Sequence, residues 1–275
     1  LKVVRTLLNR QSWLTLALSI YLLSVQGNPV ASFTGNRTVG CIPLSVQFTN
    51  TSTGASSYFW NLGNGNTSTL PNPSNLYTLQ GNYTITLIAY DGIGGSDTAT
   101  YTNYLNVNGK PTADFYCPTL ASCLDNNSYS FINTSIAATS YLWDFGDGTT
   151  STQANPNHSY AQTGSFTITL IATNAYGCQD IKIRNQYITI YPKPNASIAT
   201  SPSSSCDPAT IFQLSNNSSG NNSWQWNFGD GTSSSLQNPS HVFPGAGYYN
   251  VSLMVGNSFG CRDTSDTPTQ ISVNA

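Results

Sequence analysis

The sequence predicts an all-β protein of three tandem sandwich modules, and an internal repeat is the first observation behind that prediction. Trp60, Trp143 and Trp226 recur at equal intervals, each inside a copy of one short stretch. The clearest copy, Tyr-Leu-Trp-Asp-Phe-Gly-Asp-Gly, occupies residues 141–148. The other copies, at 58–65 and 224–231, differ from it at a few positions. A fixed period of this kind is typical of an array of repeated domains.

The second observation is a run of alternating hydrophobicity in each repeat. Phe166, Ile168 and Leu170 fall on one side of the run in the second repeat, with threonine between them. The matching runs begin at Tyr83 and Tyr249. Period two over about eight residues, rich in aromatic and β-branched types, predicts a half-buried strand. Several short strands per repeat, separated by turn residues, predict a two-sheet sandwich.

The N-terminus predicts a secretory signal peptide over residues 1–27. Lys2, Arg5 and Arg10 form a positive region, and an apolar core follows at residues 13–23. That core is too short for a comfortable membrane span, so a cleaved leader is favoured over an uncleaved signal-anchor. We therefore expect no membrane span once the leader is removed.

The rest of the chain divides at short proline-containing joints. We expect a divergent first module at residues 28–109, a second at 110–192 and a third at 193–275. Charged residues make up only 7% of the chain and the formal net charge is -2. No basic field is present to hold nucleic acid. Composition and leader together predict an extracellular protein, either secreted or held at the cell surface.

The repeated stretch has a structural interpretation. Alternation directs the tryptophan inward, and Gly-Asp-Gly provides a tight turn because glycine admits positive φ and aspartate bonds its own downstream amides. This interpretation covers Trp60, Trp143, Asp144, Gly146, Asp147, Gly148, Trp226, Gly229, Asp230 and Gly231. The alternatives are a sugar-stacking tryptophan or a calcium site on the paired aspartates. Asparagine replaces both aspartates in the first copy, so we expect no metal and no cofactor there.

Other candidate chemistry is sparse. His158 and His241 are the only histidines and occupy the same repeat position. One histidine per module does not make a zinc site, so we expect a polar contact that closes a loop. No hydrolase elbow, zinc-protease motif or phosphate loop occurs in the sequence. We therefore predict no catalytic residues and no enzyme activity for these residues.

At this point the motifs resemble a known family. The stretch at 141–148, followed by Asn-Pro-Asn-His-Ser-Tyr at 155–160, Gly-Ser-Phe-Thr-Ile-Thr-Leu at 164–170 and Asn-Ala-Tyr-Gly at 174–177, looks like the PKD (polycystic kidney disease) domain. The third module repeats this pattern and the first departs from it. The resemblance implies an immunoglobulin-like sandwich used outside the cell as a spacer or adhesive module that contacts protein or polysaccharide. The alternative it implies is the N-terminal accessory region of a longer secreted hydrolase.

Six cysteines in a secreted β protein predict disulfides rather than metal ligands. The interval from Cys123 to Cys178 equals the interval from Cys206 to Cys261. This spacing favours one bridge inside each of the last two modules, which leaves Cys41 to pair with Cys117. The competing scheme joins neighbouring modules, Cys41 to Cys178 and Cys123 to Cys261. We favour the first scheme because it pairs all six.

Overall fold

The computed structural model describes residues 28–125, 127–207, 209–265 and 269–274, so the expected leader lies outside it. Every regular element of these residues is a strand, which confirms the all-β prediction. No helix in this range is long and apolar enough to cross a membrane. The chain folds into two compact units. The first ends at Pro111 and also takes in Asn174–Cys178, and the second is Thr112–Thr173 with the residues from Gln179 onward.

The first unit is a sandwich of two sheets. Its strands are β1 (Phe33–Gly35), β2 (Val39–Cys41), β3 (Leu44–Asn50), β4 (Ser57–Asn61), β5 (Thr67–Ser68), β6 (Ser74–Tyr77), β7 (Gly81–Tyr90) and β8 (Ser96–Asn108). One sheet has the order β1-β3-β6 and the other the order β2-β8-β7-β4-β5. All pairs are antiparallel except β2 with β8, which run parallel.

The core of the first unit is aromatic at its centre. Trp60 on β4 is fully buried and meets Phe33 edge to face, with ring centroids 5.2 Å apart. Ile85 and Leu87 on β7 are also fully buried, as the alternating pattern predicts. Edge-to-face aromatic pairs stabilise such a core beyond the area they bury. A small domain depends on these few large side chains because its core is limited.

The second unit contains two further sandwiches. The strands of the first are β9 (Phe115–Tyr116), β10 (Ala121–Cys123), β11 (Tyr129–Ser130), β12 (Ile132–Asn133), β13 (Ser140–Asp144), β14 (Thr150–Ser151), β15 (Asn157–His158), β16 (Gly164–Thr173) and β17 (Gln179–Tyr191). Its main sheet has the order β10-β17-β16-β13-β14, and the facing layer consists of the pairs β9-β12 and β11-β15. The parallel pair of the first unit recurs here as β10 with β17.

The last sandwich of the second unit has the same plan. Its strands are β18 (Ile198–Ser201), β19 (Ser204–Ser205), β20 (Phe212–Asn216), β21 (Ser223–Asn227), β22 (Ser233–Ser234), β23 (Ser240–His241), β24 (Gly247–Gly256), β25 (Arg262–Thr264) and β26 (Thr269–Val273). One sheet has the order β18-β20-β23. The other has the order β19-β26-β24-β21-β22, with β25 added on β24. Separate hydrophobic clusters fill the two sandwiches.

The disulfides correct the expected pairing. Cys41 is bonded to Cys178 and Cys123 to Cys261, so the competing scheme is right and the favoured scheme is wrong. Cys117 is buried without a disulfide, and Cys206 is exposed without one.

The topology explains why a bridge within a module fails. Cys123 pairs with Tyr191 at the last residue of β17, whereas Cys178 immediately precedes Gln179, the first residue of that strand. A strand of 13 residues places these ends about 40 Å apart at the usual rise per residue. A disulfide needs Cα atoms within about 7 Å.

Candidate functional site

The tryptophan of each repeated stretch lies inside its sandwich. Trp60, Trp143 and Trp226 are all fully buried. Each indole Nε1 donates a hydrogen bond to a backbone carbonyl ten residues further on, and Trp143 donates to Gln153 at 2.9 Å. A buried indole with its donor satisfied is a packing group and presents no face to a sugar.

The Gly-Asp-Gly turn that follows Trp143 needs glycine at its first position. Gly146 has φ 78°, and a Cβ added there would lie 2.5 Å from the carbonyl oxygen of Thr167. The carboxylate of Asp144 accepts the N–H of Gly146 at 2.9 Å, which closes the turn. Asn61 and Asn227 make the same bond in the other modules, so the position requires an oxygen acceptor and not a charge.

Asp147 at the tip of this turn lies in a cluster with Thr149 and His158. Its Oδ1 accepts from the backbone N–H and the hydroxyl of Thr149, at 3.0 and 2.6 Å, and its Oδ2 lies 2.7 Å from His158 Nε2. The imidazole stacks on Phe145 with centroids 4.1 Å apart. Burial raises the pKa of Asp147, but the hydrogen bonds from Thr149 and His158 outweigh it and lower the pKa below the usual value.

The other two modules have a polar cluster at the same place. The third keeps the same residue types, and the first has different ones. In the third, Asp230 lies 2.6 Å from His241 and accepts from Thr232. In the first, three asparagines take the places of the aspartate, threonine and histidine: Asn75 donates to Asn64 at 3.1 Å, and Asn66 donates to Asn75 at 2.8 Å. A polar link between the turn and the neighbouring strand is therefore common to all three modules, whereas the carboxylate and imidazole are not.

The geometry of the cluster does not match a nucleophilic triad. In a triad the carboxylate and the nucleophile bond to opposite ring nitrogens of the histidine. Here Asp147 and Thr149 both approach His158 Nε2, at 2.7 and 3.4 Å, and the Thr149 hydroxyl donates to Asp147. The arrangement therefore braces the turn and does not activate the hydroxyl.

A surface pocket of about 420 Å³ lies beside this turn, lined by Gly146, Asp147, Thr149, Tyr160, Gln162 and Phe166. The Tyr160 hydroxyl donates to the Phe145 carbonyl at 3.1 Å, and burial raises its pKa. Both carboxylate oxygens of Asp147 already accept from protein donors. Among the residues that the structure describes, no group of three or more His, Cys, Asp or Glu side chains could hold a metal ion.

A second candidate region is the turn of the third module that contains the disulfide-bonded Cys261. Asn257 is the first residue of this turn and makes hydrogen bonds both within it and outside it. Asn257 Oδ1 accepts the N–H groups of Phe259 and Cys261, both at 3.0 Å. Its Nδ2 donates to the carbonyl of Pro192 at 2.8 Å. The oxygen thus shapes the turn, while the nitrogen reaches back to the joint that precedes the module.

The equivalent turn of the second module, Asn174–Cys178, is part of the first unit. Asn174 Oδ1 accepts from Tyr176 and Cys178, and its Nδ2 donates to the Gly109 carbonyl at 2.9 Å. Each turn thus combines an asparagine bond to the joint with a disulfide to the preceding module. We refer to the asparagine, the bonded cysteine and their partners as the joint bracket.

The first module has a different turn at the equivalent position. Asp91 accepts the N–H groups of Ile93 and Gly95, both at 2.8 Å, and so makes the same internal turn. These bonds, led by the one from Ile93, lower the pKa of Asp91. A carboxylate has no N–H to donate outward, and glycine stands where Cys178 and Cys261 stand in the later modules. This turn therefore cannot form a joint bracket.

Further contacts reinforce the bracket in the second unit. Lys193 Nζ lies 2.7 Å from Asp125 Oδ2 and 2.7 Å from Asp263 Oδ1. Hydrogen bonds to these two carboxylates raise the pKa of Lys193. Phe259 stacks on Tyr191 with centroids 4.3 Å apart. Sequence reasoning missed the role of the asparagines. The signal was the recurrence of Asp, Asn and Asn, at the same interval as the tryptophans, immediately after the long alternating strands.

These features define a tandem array of immunoglobulin-like β-sandwich modules linked by disulfides. The chain belongs to the PKD domain family, because the family model "PKD domain" matches residues 26–107, 108–190 and 191–273.

Curated relatives match shorter segments. Pre-pro-metalloprotease PrtV of Vibrio cholerae is 32% identical over 132 residues, 46% of this chain and 14% of that protein. Microbial collagenase of Vibrio alginolyticus is 31% identical over 99 residues, 35% of this chain and 12% of that protein. Collagenase ColA of Bacillus cereus is 55% identical over 38 residues, 14% of this chain and 4% of that protein. The chain thus spans a small part of each relative.

Solved structures of single domains are similar to parts of the chain. The PKD1 domain of Vibrio anguillarum Epp is 31% identical, covering 30% of this chain and 99% of that one, with a TM-score of 0.27. The PKD1 domain of the Vibrio cholerae metalloprotease PrtV is 36% identical, covering 29% of this chain and 98% of that one, with a TM-score of 0.26.

Proposed function

We propose that this chain is a non-catalytic, extracellular array of PKD domains that acts as a covalently braced spacer. The observation that carries the proposal is the joint bracket. Each of two disulfides ties a cysteine of one module to the turn of the next, and an asparagine amide bonds to the joint beside it. Such bracing resists separation of successive modules, which is a property that a spacer needs and a catalyst does not.

The same bonds support an extracellular location. Disulfides persist in oxidising compartments and are rare in the cytosol. The low charge content and the predicted leader fit the same assignment. Four of the six cysteines lie in bridges, so the array depends on an oxidising environment for its joints.

Mechanical unfolding of the single chain tests the spacer function. With both bridges closed, the shortest covalent path from residue 28 to residue 275 passes through about 80 residues, a contour of roughly 30 nm. Reduction releases the segments 41–123 and 178–261, which adds roughly 60 nm. We expect this gain only after reductant is added. A chain that extends to its full length without reductant contradicts the proposal, and a chain without cysteines is the matched control.

A second candidate is an accessory region of a longer secreted hydrolase, with the modules contacting a protein or polysaccharide substrate. It is favoured by the named relatives, a metalloprotease and two collagenases, of which the matched segments are a small part. Determining the gene sequence beyond the codon for residue 275 separates the candidates. A protease or glycosidase domain there supports the accessory function, and a run of further modules supports the spacer.

Contacts with extracellular protein or polysaccharide would use the exposed aromatic side chains. Tyr176 and Tyr248 are 71% and 72% exposed. A pull-down of the chain on collagen and on insoluble polysaccharides tests this, with Tyr248→Ala as the variant and Ser252→Ala on the same strand as its control. Retention that is equal for both variants and the parent shows that Tyr248 takes no part.

A further inference from the structure

Each module has a cysteine near its start, at one repeat position: Cys41, Cys123 and Cys206. Two of these cysteines are in disulfides and one is not. Cys41 and Cys123 are each bonded to the turn of the following module, across separations of 137 and 138 residues. Cys206 is exposed and has no disulfide.

The backbone around Cys206 is built as it is around its two equivalents. Cys41 is the last residue of a strand that runs parallel to the last strand of its module, and Cys123 is the last residue of the equivalent strand. The equivalent strand of the third module also runs parallel, with Ser204 opposite Ser272 and Ser205 opposite Val273, and Cys206 follows it directly. Asn274 N–H donates to the Ser205 carbonyl at 2.8 Å, which continues that ladder. The register of Ser204 and Ser205 therefore brings Cys206 to the repeat position that the two bonded cysteines occupy.

We infer that Cys206 is the open half of a third joint bracket, whose partner is a further module of the same family carrying an Asn-x-aromatic-Gly-Cys turn. Both turns of that sequence in this chain, Asn174–Cys178 and Asn257–Cys261, already have their thiols in disulfides. A second folded copy of the chain thus has no matching thiol to offer. The partner turn must come from another module.

The first module is the opposite end of this series. Its turn has Asp91 in place of the asparagine and Gly95 in place of the cysteine, so it offers neither the amide donor nor the thiol. The joint bracket thus has a direction, because the cysteine at the start of one module is bonded to the turn of the module that follows. The inference rests on the braced-array function proposed above and adds the partner and the bond.

The bond forms by oxidation of two thiols. Two protons and two electrons leave the sulfur atoms as the S–S bond forms, and a disulfide oxidant accepts them. In the test, oxidised glutathione is that oxidant and becomes two molecules of its thiol form.

The test extends the full chain by one module in register. One version appends a copy of residues 193–275 after Ala275, and a second version appends a copy of residues 110–192. In both, the appended turn cysteine falls 138 residues after Cys206, the separation that Cys123 and Cys261 have. The extended chains are refolded with oxidised glutathione and mapped by non-reducing peptide mass spectrometry. We expect Cys206 to be bonded to the appended Cys261 or Cys178.

The control converts the appended turn to that of the first module. In the copy of residues 193–275, Asn257→Asp and Cys261→Gly are introduced together, and Cys206 should remain alkylatable. The inference is overturned if neither extended chain gives a peptide that links Cys206 to the appended turn cysteine, or if Cys206 bonds to glutathione, to Cys117 or to Cys206 of a second chain. Failure of the proposed spacer is distinguishable, since it appears in the same digest as loss of the Cys41–Cys178 or Cys123–Cys261 peptides.

Discussion

Cys123 is bonded to Cys261, at a sequence separation of 138, although Cys178 is much nearer in sequence and belongs to the same module. The long separation reflects the sandwich. The strand that starts after Cys178 ends beside Cys123, so the two cysteines of one module lie at its opposite ends. The thiol that reaches Cys123 therefore comes from the turn of the next module.

Removal of the first bridge should lower the stability of the first module. For Cys41→Ser with Cys178→Ser, the chain-entropy model gives about 5 kcal/mol for the lost loop. Overlap with the loop of the second bridge reduces that amount. We expect a melting temperature lower by roughly 10 °C or more, measured by calorimetry. Cys206→Ser is the matched control and should have the same melting temperature as the parent, because that thiol is exposed and in no disulfide.

Truncation of a core tryptophan should destabilise its own sandwich. Trp143→Ala removes a fully buried ring and its hydrogen bond to Gln153, so the free energy of unfolding should fall by about 3–5 kcal/mol. Urea unfolding followed by circular dichroism measures it. Leu142→Ala, on the adjacent and 42% exposed side chain, should cost less than about 1 kcal/mol. Equal losses for the two variants would refute an inward role for Trp143.

The Asp147 cluster should make the second module sensitive to acid. The pKa of Asp147 is lower in the folded chain than the unfolded value of about 3.9. Its stabilisation is therefore fully present above about pH 4 and is lost as the pH falls through the folded-state pKa. Asp147→Asn should lower the free energy of unfolding at pH 7 by about 1–2 kcal/mol. The stabilities of parent and variant should then converge as the pH falls below the folded-state pKa of Asp147.

Urea midpoints from pH 2 to pH 7 measure this convergence. Asp144→Asn is the control, since asparagine at the same repeat position already closes the turn in the first and third modules. A gap between parent and Asp147→Asn that stays constant with pH would show that the carboxylate is not the source of the stabilisation.

Two variants of Asn257 should separate its two roles. Asn257→Asp keeps the bonds from Phe259 and Cys261 but loses the donor to Pro192, so the free energy of unfolding should fall by about 1 kcal/mol. Asn257→Ala loses all three bonds and should cost clearly more. Urea unfolding of both variants is the measurement. If aspartate costs as much as alanine, the turn bonds contribute nothing; if it costs nothing, the bond to the joint is dispensable.

Much of the fold could be predicted because it depends on local periodicity. The alternation at Ile168 and Leu170 and the inward direction of Trp143 follow from the period of a strand and from hydrophobicity, which the sequence carries residue by residue. The turn at Gly146 could be predicted for the same reason. Its requirement for positive φ depends on one residue and its immediate neighbours.

The sequence by itself determined that this protein is a repeat of β-sandwiches with buried tryptophans and glycine turns. The tertiary structure alone decided which cysteines meet, what Asn174 and Asn257 bond, and that the partner of His158 is Asp147. Those features depend on which strand ends lie side by side. Two cysteines of one module are distant because a 13-residue strand separates them, and two cysteines 138 residues apart are bonded because adjacent modules bring them together.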